Sequence, residues 1–287
     1  MNDGTSDKMS MVEIQIVSDL HLESPPAYDL FDITPRAPHL ALLGDIGNVS
    51  PTEHRDGLVS FLKKQLQVFR TVFFIPGNHE AYNSTWPKAL FILRSFEQHI
   101  ASLRTHNPAL GEFVLMDRRS FRIGNFLILG CSLFSRVPDQ RVSAVETSMN
   151  DFYLTGDGWS VTWHNKAHSR DLQWLNEEVS RAQEDGSVHR IVVLTHWSPS
   201  LDPRASDPKH AGSIISSGFA TDLSMELCWT SEKVATWAWG HTHFNFDFVV
   251  PRQEGRKPLR VLANQRGYYF QPAEGFDPEK LVKLGWS

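Results

Sequence analysis

The stretch TVFFIPGNHEAY, residues 71–82, decides how the rest of the chain is read. Val72, Phe73, Phe74 and Ile75 form an unbroken apolar run, the pattern of a strand covered on both faces. Pro76 and Gly77 break the run, and the chain then presents an amide, an imidazole and a carboxylate in succession: Asn78, His79 and Glu80. A buried strand that ends this way is a platform for polar chemistry, and neighbouring strands should carry more of it.

Four other apolar runs end alike. Residues 12–17 lead into Ser18-Asp19-Leu20-His21, and residues 39–43 into Gly44-Asp45-Ile46-Gly47-Asn48. Residues 191–194 lead into Thr195-His196, and residues 234–239 into Gly240-His241-Thr242-His243. In extended chain, residues two apart point the same way, with α-carbons roughly 6–7 Å apart. Asp19 and His21 can therefore face one ion, and His241 with His243 one centre or two adjacent ones. Ligands at the carboxyl ends of sheet strands converge on a crevice, the usual place for an α/β active site.

Asp19, His21, Asp45, Asn78, His196, His241 and His243 make a mixed oxygen–nitrogen set without thiolate. Such a set suits Mn, Fe, Co, Ni or Zn and is too rich in nitrogen for calcium or a typical magnesium site. Seven ligands exceed one ion of ordinary coordination and fit two ions that share a carboxylate. Any one of these motifs alone would be bland, since a single Gly-His or Asp-x-His is ordinarily a turn or a core histidine. Together they are not.

The bulk numbers frame a soluble globular protein with ample core: 287 residues, 41% hydrophobic and 21% charged. A net charge of -5 argues against a broad basic face for nucleic acid. Adjacent basic pairs, such as Lys63-Lys64 and Arg118-Arg119, are few. The two cysteines, Cys131 and Cys228, lie far apart and read as reduced thiols in an intracellular, cytoplasmic setting. No signal-peptide core or membrane-length apolar run is evident, so no membrane partner is expected. Residues 1–10 read as a flexible tail, and residues 11–287 as a single domain.

Further strands are expected at 113–116, 126–129, 246–250 and 259–262. Helical stripes run through Leu58, Phe61, Leu62, Leu66 and Phe69, and through Trp86, Leu90, Leu93, Phe96, Ile100 and Leu103. Ser84 or Thr85 can cap the second, with Pro87 in its first turn. A third helix is expected over 168–183. Strands alternating with helices and then mostly strands predict a layered α/β fold with mixed sheets in the middle and helices outside. Two segments, 134–165 and 198–220, resist regular assignment and read as long loops. His164 and His168 share a helical face and are read as solvent-facing or capping rather than metal-binding.

The ordered set Asp19-x-His21, Gly44-Asp45, Gly77-Asn78-His79-Glu80, His196 and Gly240-His241-x-His243 resembles the calcineurin-like metallophosphoesterase superfamily, over residues 12–268. The resemblance implies a four-layer sandwich of two central mixed β-sheets flanked by α-helices. It implies a dinuclear centre of divalent or trivalent ions, Mn, Fe or Zn. Asp19, His21, Asp45 and His243 would hold the first, and Asp45, Asn78, His196 and His241 the second. His79 would be the catalytic residue, facing the phosphoryl group and leaving oxygen, and Glu80 would orient the turn. The implied reaction is hydrolysis of a phosphoester by a metal-bridging hydroxide.

Protein phosphatases of this superfamily carry a carboxylate three residues after the bridging Asp, where this chain has Asn48. His79 is then expected to be less often protonated at pH 7, unless Glu80 or another acid compensates. That departure favours a small-molecule or nucleotide phosphodiester as substrate. A phosphomonoesterase or protein phosphatase, a nuclease, and a non-catalytic scaffold are the alternatives. Asn48, Tyr82, Trp197 and Arg266 are candidate substrate-binding residues: Tyr82 at the rim, Trp197 as an apolar wall or else as core packing, Arg266 for phosphate or else as a structural ion pair. Oligomeric state is not readable.

Overall fold

The structure is a computed structural model and describes residues 11–252 and 255–285. The segment 1–10, read above as a tail, lies outside the described residues. Thirteen strands are present among the described residues. The first four are β1 (Val12–Val17), β2 (His39–Leu42), β3 (Thr71–Phe74) and β4 (Glu112–Leu115). Then come β5 (Arg119–Ile123), β6 (Phe126–Cys131), β7 (Arg190–Thr195), β8 (Val234–Trp239), β9 (Phe246–Val250) and β10 (Leu259–Ala263). A short hairpin, β11 (Gly267–Tyr268) and β12 (Gln271–Pro272), precedes β13 (Leu281–Leu284). The helices are α1 (Thr52–Val68), α2 (Trp86–Arg104), α3 (Val142–Ser148), α4 (Asp151–Leu154), α5 (Val161–Glu184) and α6 (Leu227–Thr230).

Two sheets carry the fold. One has the order β13-β1-β2-β3-β4, with β1 to β4 parallel and β13 antiparallel at the edge. The other has the order β5-β6-β7-β8-β10-β9, parallel in the middle with antiparallel β5 and β9 at its edges. Their facing sides pack together: Ile14, Ile16, Ala41 and Phe73 of the first meet Ile128, Val192, Leu194 and Ala238 of the second. The outer face of the first sheet packs on α1 and α2 through Leu42, Phe74, Phe61 and Leu93. The outer face of the second packs on α5 and α6 through Val193, Trp237, Leu175 and Trp229. The result is a four-layer α/β/β/α sandwich. Because each central strand has apolar neighbours on both sides, its sequence shows no polar alternation.

Thr85 caps α2, its hydroxyl accepting from the Lys88 N–H at 3.2 Å, with Pro87 in the first turn. Three expectations need correction. The third helix begins at Val161 rather than 168, because its first three turns bury His164, His168 and Asp171 rather than a continuous apolar stripe. Segment 134–165 is not an irregular loop: it holds α3, α4 and the start of α5, while 198–220 is a series of short 3-10 turns. Strands β5 and β13 had no legible signal. β5 is an edge strand of sequence RSFRI whose side chains are largely exposed. Cys131 and Cys228 are buried free thiols.

Candidate metal centre and groove

The carboxyl ends of β1, β2, β3, β7 and β8 bring the seven expected ligands to one place. Ligand atoms of Asp19, His21 and His243 lie within 4.8 Å of one another, as do those of Asp45, His196 and His241. A third such group, His21, Asp45 and His79, joins the two. The His21 and His243 Nε2 atoms are 3.0 Å apart, and His243 Nε2 is 3.3 Å from Asp19 Oδ1. His196 Nε2 is 3.0 Å from Asn78 Oδ1 and 3.4 Å from Asp45 Oδ1.

The residues converge through strained backbone rather than by pointing the same way along extended chain. Asp19, His21, Asp45, His241 and His243 all have φ between 46° and 69°, a region that non-glycine residues seldom enter and that costs ~1–3 kcal/mol each. Such conformations persist only when surroundings over-determine them. Here the Glu80 carboxylate does so for two turns at once, accepting N–H bonds from Gly77 (2.6 Å), Ile46 (2.9 Å), Asp45 (3.0 Å) and Gly47 (3.3 Å). Asp19 accepts the His241 N–H at 3.0 Å, and Gln265 accepts that of His243 at 2.6 Å. The turns also need glycine. A β-carbon on Gly44 would run into the His196 ring, and one on Gly77 into the Asp45 carboxylate.

The donor set fits cations. His241 is buried, and its Nε2 has no hydrogen-bond partner, an orphan of the kind a metal satisfies. Burial, reinforced by nearby His196, holds its imidazole well below the usual range, hence neutral, the form that ligates. His196 directs Nδ1 at the Leu43 carbonyl (2.7 Å), which leaves Nε2 for coordination. Burial alone would lower the His196 pKa, but Asp45 outweighs it and lifts the ring to about 9. A cation held by Asp45 would compete with that proton.

His79 sits at the edge of the clusters, and its own surroundings correct one expectation. Its Nδ1 is 2.8 Å from Glu23 Oε1, and its Nε2 is 3.2 Å from the Tyr268 hydroxyl and 3.8 Å from Asp45 Oδ2. Burial disfavours its charge, yet Asp45 and Glu23 prevail and raise the pKa to about 9. The compensating acid is thus Glu23 rather than Glu80; burial would push its carboxyl up, and hydrogen bonds from His21 and His79 bring it down to about 2. A cue was present in the sequence: Glu23 stands two residues beyond His21, as His21 stands two beyond Asp19.

A groove of about 970 Å³ opens above the clusters, with Asp45, Asn78, His79, His241 and His243 on its floor. The two segments read as loops supply one wall: Met149 and Asp151 from the first, Lys209 and Phe219 from the second. Residues 268–275, including Tyr268, supply the other. Tyr82 lines the groove. Its hydroxyl donates to Asp151 Oδ1 (2.5 Å) and accepts from Asn78 Nδ2 (2.8 Å). Asn78 Nδ2 also donates to Asp151 at 3.0 Å, so its Oδ1 is turned toward His196.

The other three substrate candidates do not face the groove. Asn48 is buried, its N–H donating to the Tyr28 hydroxyl at 3.2 Å. Trp197 is fully enclosed behind the floor, 5.0 Å from the His196 ring and 4.8 Å from that of His241. Arg266 donates to the Leu20 carbonyl at 3.0 Å and lies over Phe31. Its near neighbour Tyr268 occupies the site instead, stacked on His21 at 4.2 Å. His164 and His168 form no metal cluster among the described residues and do not face solvent. His164 Nε2 accepts the Ser135 N–H (3.1 Å), and His168 Nδ1 meets the Leu133 and Phe134 carbonyls (3.2 and 3.3 Å).

Residues 13–245 match the calcineurin-like phosphoesterase family. The chain belongs to that family. It is a phosphoester hydrolase, and its Asp/His clusters are residues that could hold the metals on which such enzymes depend. Across 294 residues, 94% of this chain and 96% of the other, it is 25% identical to "Uncharacterized protein L509" of Acanthamoeba polyphaga mimivirus. Among solved structures it resembles the phosphopantetheinyl hydrolase PptH of Mycobacterium tuberculosis, with a TM-score of 0.63 over 94% of this chain and 95% of that one at 14% identity. That likeness speaks for the fold. Among the described residues, no helix of this phosphoesterase is long and apolar enough to cross a membrane.

Proposed function

We propose that the groove hydrolyses a small phosphodiester whose two ester arms lie against opposite walls. The observation that carries this reading is an aromatic ring beside each cluster. Phe219 stacks on His241 at 4.9 Å, and Tyr268 stacks on His21 at 4.2 Å. A phosphorus between the clusters has a ring for each substituent. Charge supports the same reading. Lys209, in the wall, is paired with Asp207 at 2.7 Å, and no arginine lines the groove among the described residues. A monoester dianion or a nucleic-acid backbone gains little there, whereas a diester brings one charge.

In this reading Asp19, His21, Asp45 and His243 hold one ion and Asp45, Asn78, His196 and His241 a second, of the Mn, Fe or Zn kind. When bound, the pair would supply Lewis-acid charge and lower the pKa of water. The chain's own residues do the rest. Glu23 fixes Nδ1–H of His79, which directs Nε2 outward to donate a proton to the departing oxygen. Asp45 and Glu23 keep that proton available. Tyr82 and Asp151 keep the Asn78 amide from turning over, and Phe219 and Tyr268 shield the ester arms from water.

The test is hydrolysis of bis(p-nitrophenyl) phosphate against p-nitrophenyl phosphate, with Mn²⁺, Zn²⁺ or Fe²⁺ supplied. The diester should have the higher kcat/KM by about tenfold or more. A faster monoester overturns the preference, and absence of both metal uptake and turnover favours a scaffold.

A further inference from the structure

A second cavity, of about 500 Å³, lies between α2 and α5 and shares no lining residue with the groove. Its volume is in the range of small-ligand sites. Four cationic side chains line it, Arg94, Arg118, Lys166 and Arg170, against two carboxylates, Asp117 and Asp171. Three arginines share those two: Arg94 pairs with Asp117, Arg118 with Asp117 (2.9 Å) and Asp171 (2.8 Å), and Arg170 with Asp171 at 3.6 Å. Lys166 is within ion-pair distance of no carboxylate among the described residues, and its ammonium lies over the Trp163 ring at 4.3 Å. The cavity thus carries two surplus positive charges in a chain whose net charge is -5.

Its remaining surface is aromatic. Trp86, Phe134 and Trp159 meet at centroid distances of 4.9 to 5.8 Å, and Trp163 stands 52% exposed at the mouth. Arg94 and Arg170 are more than half exposed as well, free to swing onto a ligand. Rings with cations at their edge recognise a planar π-system bearing an anion.

The floor of this cavity is bonded to the metal centre. The Ser132 hydroxyl donates to the Pro76 carbonyl at 2.6 Å, just before the Gly77-Asn78-His79 turn. The Ser132 carbonyl accepts N–H bonds from His196 and Trp197, each at 3.2 Å. Phe134 stacks on Trp197 at 4.5 Å, and Trp197 abuts the His196 and His241 rings. Leu133 and Phe134 are consecutive non-glycine residues at φ of 75° and 53°. Asp171, a partner of two of the cavity's arginines, pins that segment through the Leu133 N–H at 3.0 Å.

We infer that the cavity between α2 and α5 is a second binding site, for a small planar aromatic anion, and that its occupancy is felt at the metal centre through Ser132–Phe134. An anion that draws Arg118 and Arg170 toward itself loosens their hold on Asp171, which alone anchors the strained Leu133 N–H. The site is independent of which phosphoester the groove cleaves.

The probe is naphthalene-2-sulfonate, neither substrate nor product of phosphoester hydrolysis, titrated calorimetrically into the metal-loaded protein. It should bind. 2-Naphthol, without the charge, and methanesulfonate, without the ring, should each bind at least about tenfold more weakly. The double variant Trp163→Ala/Lys166→Glu, altered only at exposed side chains that take no part in holding Asp171, should lose at least about tenfold in affinity while hydrolysing substrate as wild type does. Saturating probe should change kcat or KM of the wild type by about twofold or more and leave the double variant unchanged. Failure of wild type to bind overturns the site, as does equal binding by the double variant. Binding that leaves wild-type turnover unmoved overturns the coupling. Since binding is read as heat, these results stand apart from the diester preference.

Discussion

The floor of the groove and its walls are built on opposite principles. The floor comes from five strand-end turns, and five of its seven proposed ligands are in left-handed backbone, three of them held by Glu80, Gln265 and the carboxylate of Asp19 and two, Asp19 and His21, by the Gly44 and Asp45 carbonyls. Every side chain there is specified by a neighbour, and the cost in strain is met by a rigid pair of sheets beneath. The walls come from short helices, 3-10 turns and a two-residue hairpin. They touch the floor through two rings, Phe219 and Tyr268, and one carboxylate, Asp151. In the proposed reading, chemistry is fixed where the chain is over-determined, and selectivity is set where it is not.

The hardest blow to that division is Asp45→Asn. Asp45 belongs to two of the three clusters and accepts the His79 N–H at 2.8 Å. Loss of its charge should cost both metal positions more than the ~10–100-fold that removal of a supporting residue costs, with turnover abolished. Metal content after dialysis measures it, and two retained equivalents would remove Asp45 from the centre. His79→Ala comes next. It should keep its metals and lose about 100- to 10,000-fold in kcat, most for alkyl leaving groups, which need the proton, and least for p-nitrophenolate. A uniform loss across leaving groups would reassign His79 from proton donor to binding residue.

Asp151→Ala probes the seam between wall and floor. Without its carboxylate the Asn78 amide loses one of its two acceptors and is free to turn, so the second ion alone should bind ~10–100-fold more weakly. Equal loss at both positions would mean that the wall supports the whole centre.

The same contrast explains what the sequence makes legible. The four layers follow from continuous apolar runs, and the floor from motifs placed directly after them, because in both cases the information is local. Glu23 repeats the two-residue spacing of Asp19 and His21 and was open to the same reading, although left-handed backbone rather than extended chain is what turns those residues inward. Asp151 and Tyr268 were not: each reaches the site from a segment whose own pattern says little, and only the packing of distant elements brings them there. Trp197 was misread for the converse reason. Adjacency to His196 along the chain places it beside the site, but in the bend after β7 its ring turns to the other side of the floor, into the core.

That core side yields the prediction with the smallest effect on turnover at neutral pH. His164 is fully buried beneath Trp197, at 5.7 Å between rings, and its Nε2 is engaged by the N–H and hydroxyl of Ser135. Burial, with His168 nearby, brings its pKa down to about 3. In the unfolded chain the imidazole takes a proton at about 6.5, in the folded chain only near 3, so between those values the unfolded state binds more protons. Stability should therefore fall as pH is lowered from about 6.5 to about 3, by on the order of 4 kcal/mol from this group. Denaturant unfolding of the wild type and of His164→Gln across that range isolates the contribution, since other titrating groups appear in both curves. The variant should be less stable at pH 7, where a fitted ring is lost, and its decline with acid should be shallower. Parallel curves would show that the ring is protonated in place, and that the support behind the floor is a charged contact rather than a neutral one.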